Sequence, residues 1–180
     1  YPLFRNSHLK AAAVCRIIRY GDDMATKTNA VRLVQQAGIP CREAFYEFDE
    51  QDLSGVHAAQ AIGMPEEQVF KTLVARGEKT GINVFCIPVC CELDLKKAAK
   101  AAGDKNMELV AVKELLGLTG YIRGGCSPVG MKKHYPTFID ETCTLWDEIA
   151  VSAGARGHQM IVPPQPLAEL VGAELTDIIV

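Results

Sequence analysis

Behind Thr28-Asn29, the apolar positions Ala30, Val31, Leu33, Val34 and Ala37 recur at helical spacing, and Gly38 with Pro40 ends the run. That spacing predicts a first helix. Residues 41–48 then read as a strand with Ala44, Tyr46 and Phe48 on one face. Ser54 opens a short helix through Val56, Ala59 and Ile62, closed by Gly63, and Pro65 begins a further turn. Residues 69–75 and 82–89 are strand-like and are joined by Gly77-Glu78-Lys79-Thr80-Gly81, a hairpin signal. The second of these strands is apolar on both faces, which predicts a central position in its sheet.

Further along, Asp94 caps a helix with Leu95, Ala98, Ala99 and Ala102 inward and Lys96, Lys97 and Lys100 outward, stopped by Gly103. A helix is expected over 112–116 and a short strand over 121–123. Late strands are expected over 137–139, 149–152 and 159–162, with a closing helix over 163–171. Helices and strands mix without a regular βαβ repeat. The fold class is therefore α+β, a single domain with a mixed β-sheet flanked by helices.

Composition narrows the function more than the fold. The chain has 180 residues, 48% apolar and 23% charged, enough for one domain with a real core. A net charge of −3 gives no global pull toward nucleic acid, so any RNA contact must come from a local basic patch, and DNA and membrane partners are not expected. Seven cysteines form no C-x-x-C pair, and Cys86, Cys90 and Cys91 do not have zinc-site spacing. They read as reduced thiols of a cytoplasmic protein. The four histidines show no ligand spacing, and nothing suggests a metal or organic cofactor. Residues 1–23 carry Arg5, Lys10, Arg16 and Arg19 with no acid before Asp22, and Met24 resembles a start. They are read as a leader or expression-derived segment, and residues 24–180 as the functional domain.

Two features carry candidate chemistry. Lys71 shares a strand face with Val69, Leu73 and Ala75, where an ammonium is costly unless it meets an anion or snorkels to water. The segment Gly124-Gly125-Cys126-Ser127-Pro128-Val129-Gly130 is dense in glycine, so its N–H groups can approach an acyl group closely. Ser127 adds a hydroxyl and Pro128 stiffens the turn. The loop fits neither the Walker pattern nor the dinucleotide fingerprint. Cys126 is a candidate thiol nucleophile only if a base such as His134 or His158 lies beside it; packing is the commoner use of such a residue. Lys132 and Lys133 follow the loop and would steer a phosphate backbone toward it.

Several ordered segments resemble the YbaK/EbsC family of aminoacyl-tRNA deacylases, relatives of the editing domain inserted in bacterial prolyl-tRNA synthetases. They are Val69-Phe70-Lys71-Thr72-Leu73, Glu92-Leu93-Asp94-Leu95-Lys96-Lys97-Ala98-Ala99-Lys100, the stretch from Thr119 to Lys133, Pro136-Thr137-Phe138-Ile139-Asp140, and Val151-Ser152-Ala153-Gly154-Ala155-Arg156-Gly157. The resemblance implies a partly barrel-like sheet and a trans-editing enzyme that removes cysteine from mischarged tRNA(Pro), with prolyl-tRNA synthetase as a candidate docking partner. The alternatives are an Ala-tRNA(Pro) deacylase or a non-catalytic binding module of the same fold. It implies catalytic roles for Lys71 and for the amides of Gly124 and Gly125. It implies a substrate pocket formed by Tyr46, Thr72, Cys126, Ser127, Pro128, Gly130 and Gln159, and tRNA-backbone contacts by Lys132 and Lys133. The family's cysteine-specific members are held to use the substrate's own thiolate as nucleophile, with the protein supplying orientation. Two positions depart from the family pattern. Gln159 stands where an aspartate is usual, and Cys126 where an aliphatic residue is common.

Overall fold

Two sheets carry the architecture of the computed structural model, which describes residues 27–180. The leader reading of residues 1–23 lies outside the described residues. The larger sheet has the order β4-β2-β3-β5-β8, with β2 Phe70–Gly77, β3 Gly81–Pro88, β4 Met107–Leu109, β5 Thr137–Asp140 and β8 Glu174–Thr176. β2 pairs antiparallel with β3 and β4, whereas β5 runs parallel to both β3 and β8. The smaller sheet is β1-β7-β6, all antiparallel, from β1 Arg42–Phe45, β6 Ile149–Ala155 and β7 His158–Val162. A single parallel bridge between Val69 and Ala150 links the two sheets. They remain open, so the expected partial barrel is corrected to two bridged sheets. The α+β class and the mixed strand directions stand.

Five helices surround the sheets among the described residues: α1 Asn29–Gln36, α2 Gly55–Ile62, α3 Leu95–Ala102, α4 Val112–Thr119 and α5 Pro164–Val171. Three are started by the side chains that the sequence marks as caps. Thr28 Oγ1 accepts from Val31 N–H, Ser54 Oγ from His57 N–H, and Asp94 Oδ1 from the N–H groups of Lys96 and Lys97. β3, apolar on both faces, is central as its pattern requires. Val84, Phe85, Cys86 and Ile87 are all at most 1% exposed.

Three local readings are corrected. Residues 121–123 are not a strand: Tyr121 and Ile122 are irregular and lead into a turn at Arg123-Gly124, where Gly124 has φ 86° and Gly125 N–H donates to the Ile122 carbonyl at 3.0 Å. Leu95 sits in the first turn of α3 and stays exposed, while Ala98 and Ala99 alone of that helix are buried. The first strand ends at Phe45 rather than at residue 48, and Phe48 faces solvent. β4 and β8 are three-residue edge strands with no alternation to betray them.

The core follows from this layout. α1 and α5 cover one face with Val31, Val34 and Leu167 against Ile139, Val151 and Met160. α3 covers another with Ala98 and Ala99 against Phe85, Ile87 and Phe138. Between the sheets, Val69, Ala150 and Ile161 meet Ala59 and Ile62 of α2. This last packing sets the first turn of α2 against the start of β2, where the functional side chains collect.

Candidate functional site

The first half of β2 lacks a neighbouring strand on one side. β4 pairs only with Ala75–Gly77, and the last tie is Val110 N–H to the Val74 carbonyl at 3.0 Å. The open edge lines a cavity of about 410 Å³. Side chains alternate along a strand, so Lys71 and Thr72 leave β2 by opposite faces. At an uncovered edge both can still reach the same space, and both line it. Lys71 Nζ donates to the Val89 carbonyl at 3.2 Å and is otherwise half exposed to the cavity. Thr72 Oγ1 lies 3.7 Å from Cys86 Sγ, a thiol that burial pushes up to about 12.

Opposite β2, the β6–β7 hairpin supplies Ser152 and Gln159, which face each other in the strand register. Ser152 Oγ accepts from Gly154 N–H at 3.2 Å. Gln159 is 6% exposed, and its Oε1 is buried with no hydrogen-bond partner. Tyr46 closes one side, held where its N–H donates to the Gly157 carbonyl at 2.9 Å. The first turn of α2 adds Ser54, Gly55 and Val56, and an apolar wall comes from Leu109, Val110, Val112 and Leu115. Among the described residues, the charged ones lining the cavity are Lys71 and Arg123, with no aspartate or glutamate. Such a cavity attracts anions and polarised carbonyls.

Among the residues picked from sequence, the cavity brings together Tyr46, Lys71, Thr72, Gly124, Cys126 and Gln159. The other six lie outside its lining. Gly125 spends its N–H on Ile122, and a Cβ there would stand 3.1 Å from the Ala155 carbonyl carbon, so it is a packing glycine. Ser127 is fully buried, with its Oγ accepting from Val129 N–H at 3.2 Å. Pro128 is buried beside it. Gly130, at φ 78°, lets the chain pass Asn29 and Tyr121. Lys132 Nζ donates to the Leu116 carbonyl at 3.2 Å in the last turn of α4, and Lys133 is exposed. Gly125, Ser127, Pro128 and Gly130 thus shape the turn behind Gly124 and Cys126 rather than the cavity lining itself.

Cys126 lines the cavity but is 8% exposed, and burial pushes its thiol up to about 12, opposed only by a hydrogen bond from Thr119. Among the described residues no histidine lines the cavity to act as its base. A thiol held protonated is a poor nucleophile. Among the described residues no group of three or more His, Cys, Asp or Glu side chains is placed to hold a metal, and no helix is long and apolar enough to cross a membrane.

An amide oxygen buried without a partner lowers stability by about 1–3 kcal/mol. Gln159→Leu is therefore expected to raise the melting temperature, by roughly 2–4 °C per kcal/mol recovered for a chain of this size. It is also expected to weaken whatever reaction the cavity performs. Calorimetry with an activity assay checks the pair; a lower melting temperature would mean that Gln159 is satisfied in the protein.

Residues 53–170 match the model of the aminoacyl-tRNA editing domain. EbsC of Enterococcus faecalis (strain ATCC 700802 / V583), named for Cys-tRNA(Pro)/Cys-tRNA(Cys) deacylation, is 45% identical over 152 residues, which cover 84% of this chain and 93% of EbsC. YwhH of Bacillus subtilis (strain 168) is 24% identical over 123 residues, 68% of this chain and 78% of YwhH. A solved structure described as a trans-editing enzyme for prolyl-tRNA synthetase superposes with a TM-score of 0.70 at 28% identity, covering 85% of this chain and 98% of that one. The structure of the hypothetical protein APE2540 superposes with a TM-score of 0.75 at 23% identity over 83% of this chain and 98% of the other, a likeness of fold alone.

Proposed function

Because this chain belongs to the aminoacyl-tRNA editing domain family, we propose that its cavity receives the acylated 3′ end of tRNA(Pro) and releases a wrongly attached cysteine. It is an aminoacyl-tRNA deacylase that acts in trans, downstream of prolyl-tRNA synthetase and therefore in the compartment where tRNA is charged. The physical need is plain. Cysteine and proline are close in size, and a synthetase pocket discriminates near-isosteres by only about 1–3 kcal/mol.

The observation that supports this reading best is the convergence of Lys71, Gly124 and the unpartnered Gln159 in one cavity, with no acid among the described residues that line it. The ammonium of Lys71 is the group suited to the negative charge that grows on the ester carbonyl. Gly124 forms the wall opposite, where a Cβ would press on Leu53 at 3.3 Å. Gln159 offers an amide to the amino-acid end of the substrate. Cys126 is held as a buried thiol, which favours a nucleophile supplied by the substrate. In the corresponding step the substrate's own thiolate attacks its carbonyl carbon. A C–S bond forms, the ester C–O bond breaks, and the departing ribose oxygen takes a proton. The products are a cyclic thiolactone and free tRNA.

Purified protein incubated with tRNA(Pro) charged with cysteine, alanine or proline is expected to discharge the cysteinyl ester fastest and to leave the prolyl ester intact. Faster loss of alanine would shift the assignment to an Ala-tRNA(Pro) deacylase, a change that the neutral Gln159 could allow. Loss of none of the three would reduce the protein to a binding module.

A further inference from the structure

We propose that the main-chain N–H of Thr72 is the donor that receives the carbonyl oxygen of the aminoacyl ester, in a gap left along the outer edge of β2. This rests on the reading above and deepens it, because it gives the acyl group a place on main chain. Strand register shows which groups are free. Successive residues of a strand turn their N–H and C=O groups to opposite edges. Val84 N–H donates to the Pro136 carbonyl at 2.8 Å, so Val84 turns to β5 and away from β2. Its register partner Val74 then turns away from β3, and its carbonyl accepts Val110 N–H at 3.0 Å. Thr72, two residues earlier, turns the same way as Val74. Lys71 and Leu73 turn their N–H and C=O groups to β3.

Two strands cover that outer edge, and both stop short of Thr72. β6 meets it at the bridge between Val69 and Ala150, and β4 pairs only with Ala75–Gly77. An unpaired stretch of edge is a template for further extended chain, held by main-chain hydrogen bonds. Here the stretch between the two covered ends opens into the cavity, which Thr72, Leu73 and Val74 all line. A main-chain N–H left in such a place requires an acceptor.

Gln159 has the opposite need. Its Oε1 is buried in the same cavity without a partner, and a carboxamide oxygen can only accept. A ligand that satisfies both groups brings an acceptor for Thr72 and a donor for Gln159. An aminoacyl ester has the two one carbon apart: its carbonyl oxygen and its α-ammonium. A phosphate has acceptors alone. With the ammonium on Gln159 and the carbonyl on Thr72, the ester is held at both ends beside the Lys71 ammonium. Gly125 N–H is already engaged by the Ile122 carbonyl, so Thr72 supplies the main-chain donor to the charge that grows on the ester oxygen.

Amide resonances and hydrogen exchange of the ¹⁵N-labelled parent protein provide the test. One probe is 3′-(L-cysteinylamino)-3′-deoxyadenosine, a stable amide analogue of the charged end; the other is 3′-amino-3′-deoxyadenosine, which lacks the acyl carbonyl. In the free protein Thr72 N–H is expected to exchange at least about tenfold faster than Leu73 N–H, which lies in the ladder with β3. The cysteinyl probe is expected to shift the Thr72 amide and slow its exchange about tenfold, the scale of one net hydrogen bond. The amino probe is expected to leave it in place. Thr72→Pro removes the N–H on the side where no strand bonds, a position at which sheets tolerate proline. Thr72→Val keeps the N–H and shares the loss of the hydroxyl. Single-turnover cleavage of Cys-tRNA(Pro) by the proline variant is expected to be about 10²-fold slower than by the valine variant, the usual effect of one lost oxyanion donor. Equal rates in the two folded variants would overturn the proposal. So would a Thr72 amide that is protected in the free protein, unmoved by the cysteinyl probe, or moved equally by both probes. The exchange measurement uses the parent protein and decides the matter even if the proline variant misfolds. It also separates the two readings: cleavage of Cys-tRNA(Pro) without a Thr72 response sinks the edge donor alone, and a Thr72 response without any cleavage sinks the editing activity alone.

Discussion

Lys71→Ala is expected to abolish most cleavage of Cys-tRNA(Pro), by about 10²–10³-fold in the chemical step, the usual effect of deleting one preorganised group that meets developing charge. The fold should survive. β2 is held by its pairing with β3 from Phe70 to Gly77, and none of that pairing uses the Lys71 side chain. The side chain makes one hydrogen bond, to the Val89 carbonyl, which water entering the cavity can replace. Removing a half-exposed lysine should change stability by about 0.5 kcal/mol or less. Single-turnover rates with pre-charged tRNA, measured beside a thermal melt, separate the two effects. A variant that melts as the parent does and still cleaves at the parent rate would show that Lys71 is a snorkelling edge residue. Lys71→Arg sharpens the reading. A guanidinium keeps the charge but spreads it over a planar fork, so partial recovery points to charge and no recovery to geometry.

Lys71 also shows what the sequence made legible. An ammonium among Val69, Leu73 and Ala75 is a conflict within a short strand, visible without any tertiary information. The caps Thr28, Ser54 and Asp94 were equally local, since each contacts N–H groups two or three residues away. The glycine-dense loop was legible as a special place but not as to what each glycine does. Gly124 alone of its three glycines lines the cavity. Gly125 and Gly130 are there because residues 155–156 and Asn29 approach the backbone from distant parts of the chain. Ser54, Gly55 and Val56 were read only as the start of a helix. Their place in the cavity arises because α2 packs on Val69, Ala150 and Ile161, a meeting of three elements far apart in sequence. No pattern within residues 54–56 could have announced it. Ser152 is missed for the same reason, being defined by its register opposite Gln159.

Gly157→Ala is expected to be a damaging single-methyl change beside the site, and a second glycine allows its cost to be split. Gly38 and Gly157 both have φ of 73°, a left-handed conformation that costs an L-residue about 1–2 kcal/mol. At Gly38 nothing lies within 4 Å of an added Cβ. At Gly157 that Cβ would stand 2.5 Å from the Tyr46 carbonyl oxygen and 3.1 Å from Phe48 Cδ1. The carbonyl is main chain and cannot rotate away, so the end of β1 must move. The bond from Tyr46 N–H to the Gly157 carbonyl then lengthens from 2.9 Å, and Tyr46 leaves its place on the cavity wall. Gly38→Ala should therefore lower stability by only the conformational cost and keep full cleavage of Cys-tRNA(Pro). Gly157→Ala should lose a further 1–3 kcal/mol or so, the usual scale of overpacking. At roughly 2–4 °C per kcal/mol, its melting temperature should fall several degrees below that of Gly38→Ala. Its cleavage rate should fall as well at temperatures where the variant is still folded. If the two variants melt together, the hairpin turn yields without disturbing β1. If Gly157→Ala melts lower yet cleaves normally, Tyr46 is a spectator on the cavity wall.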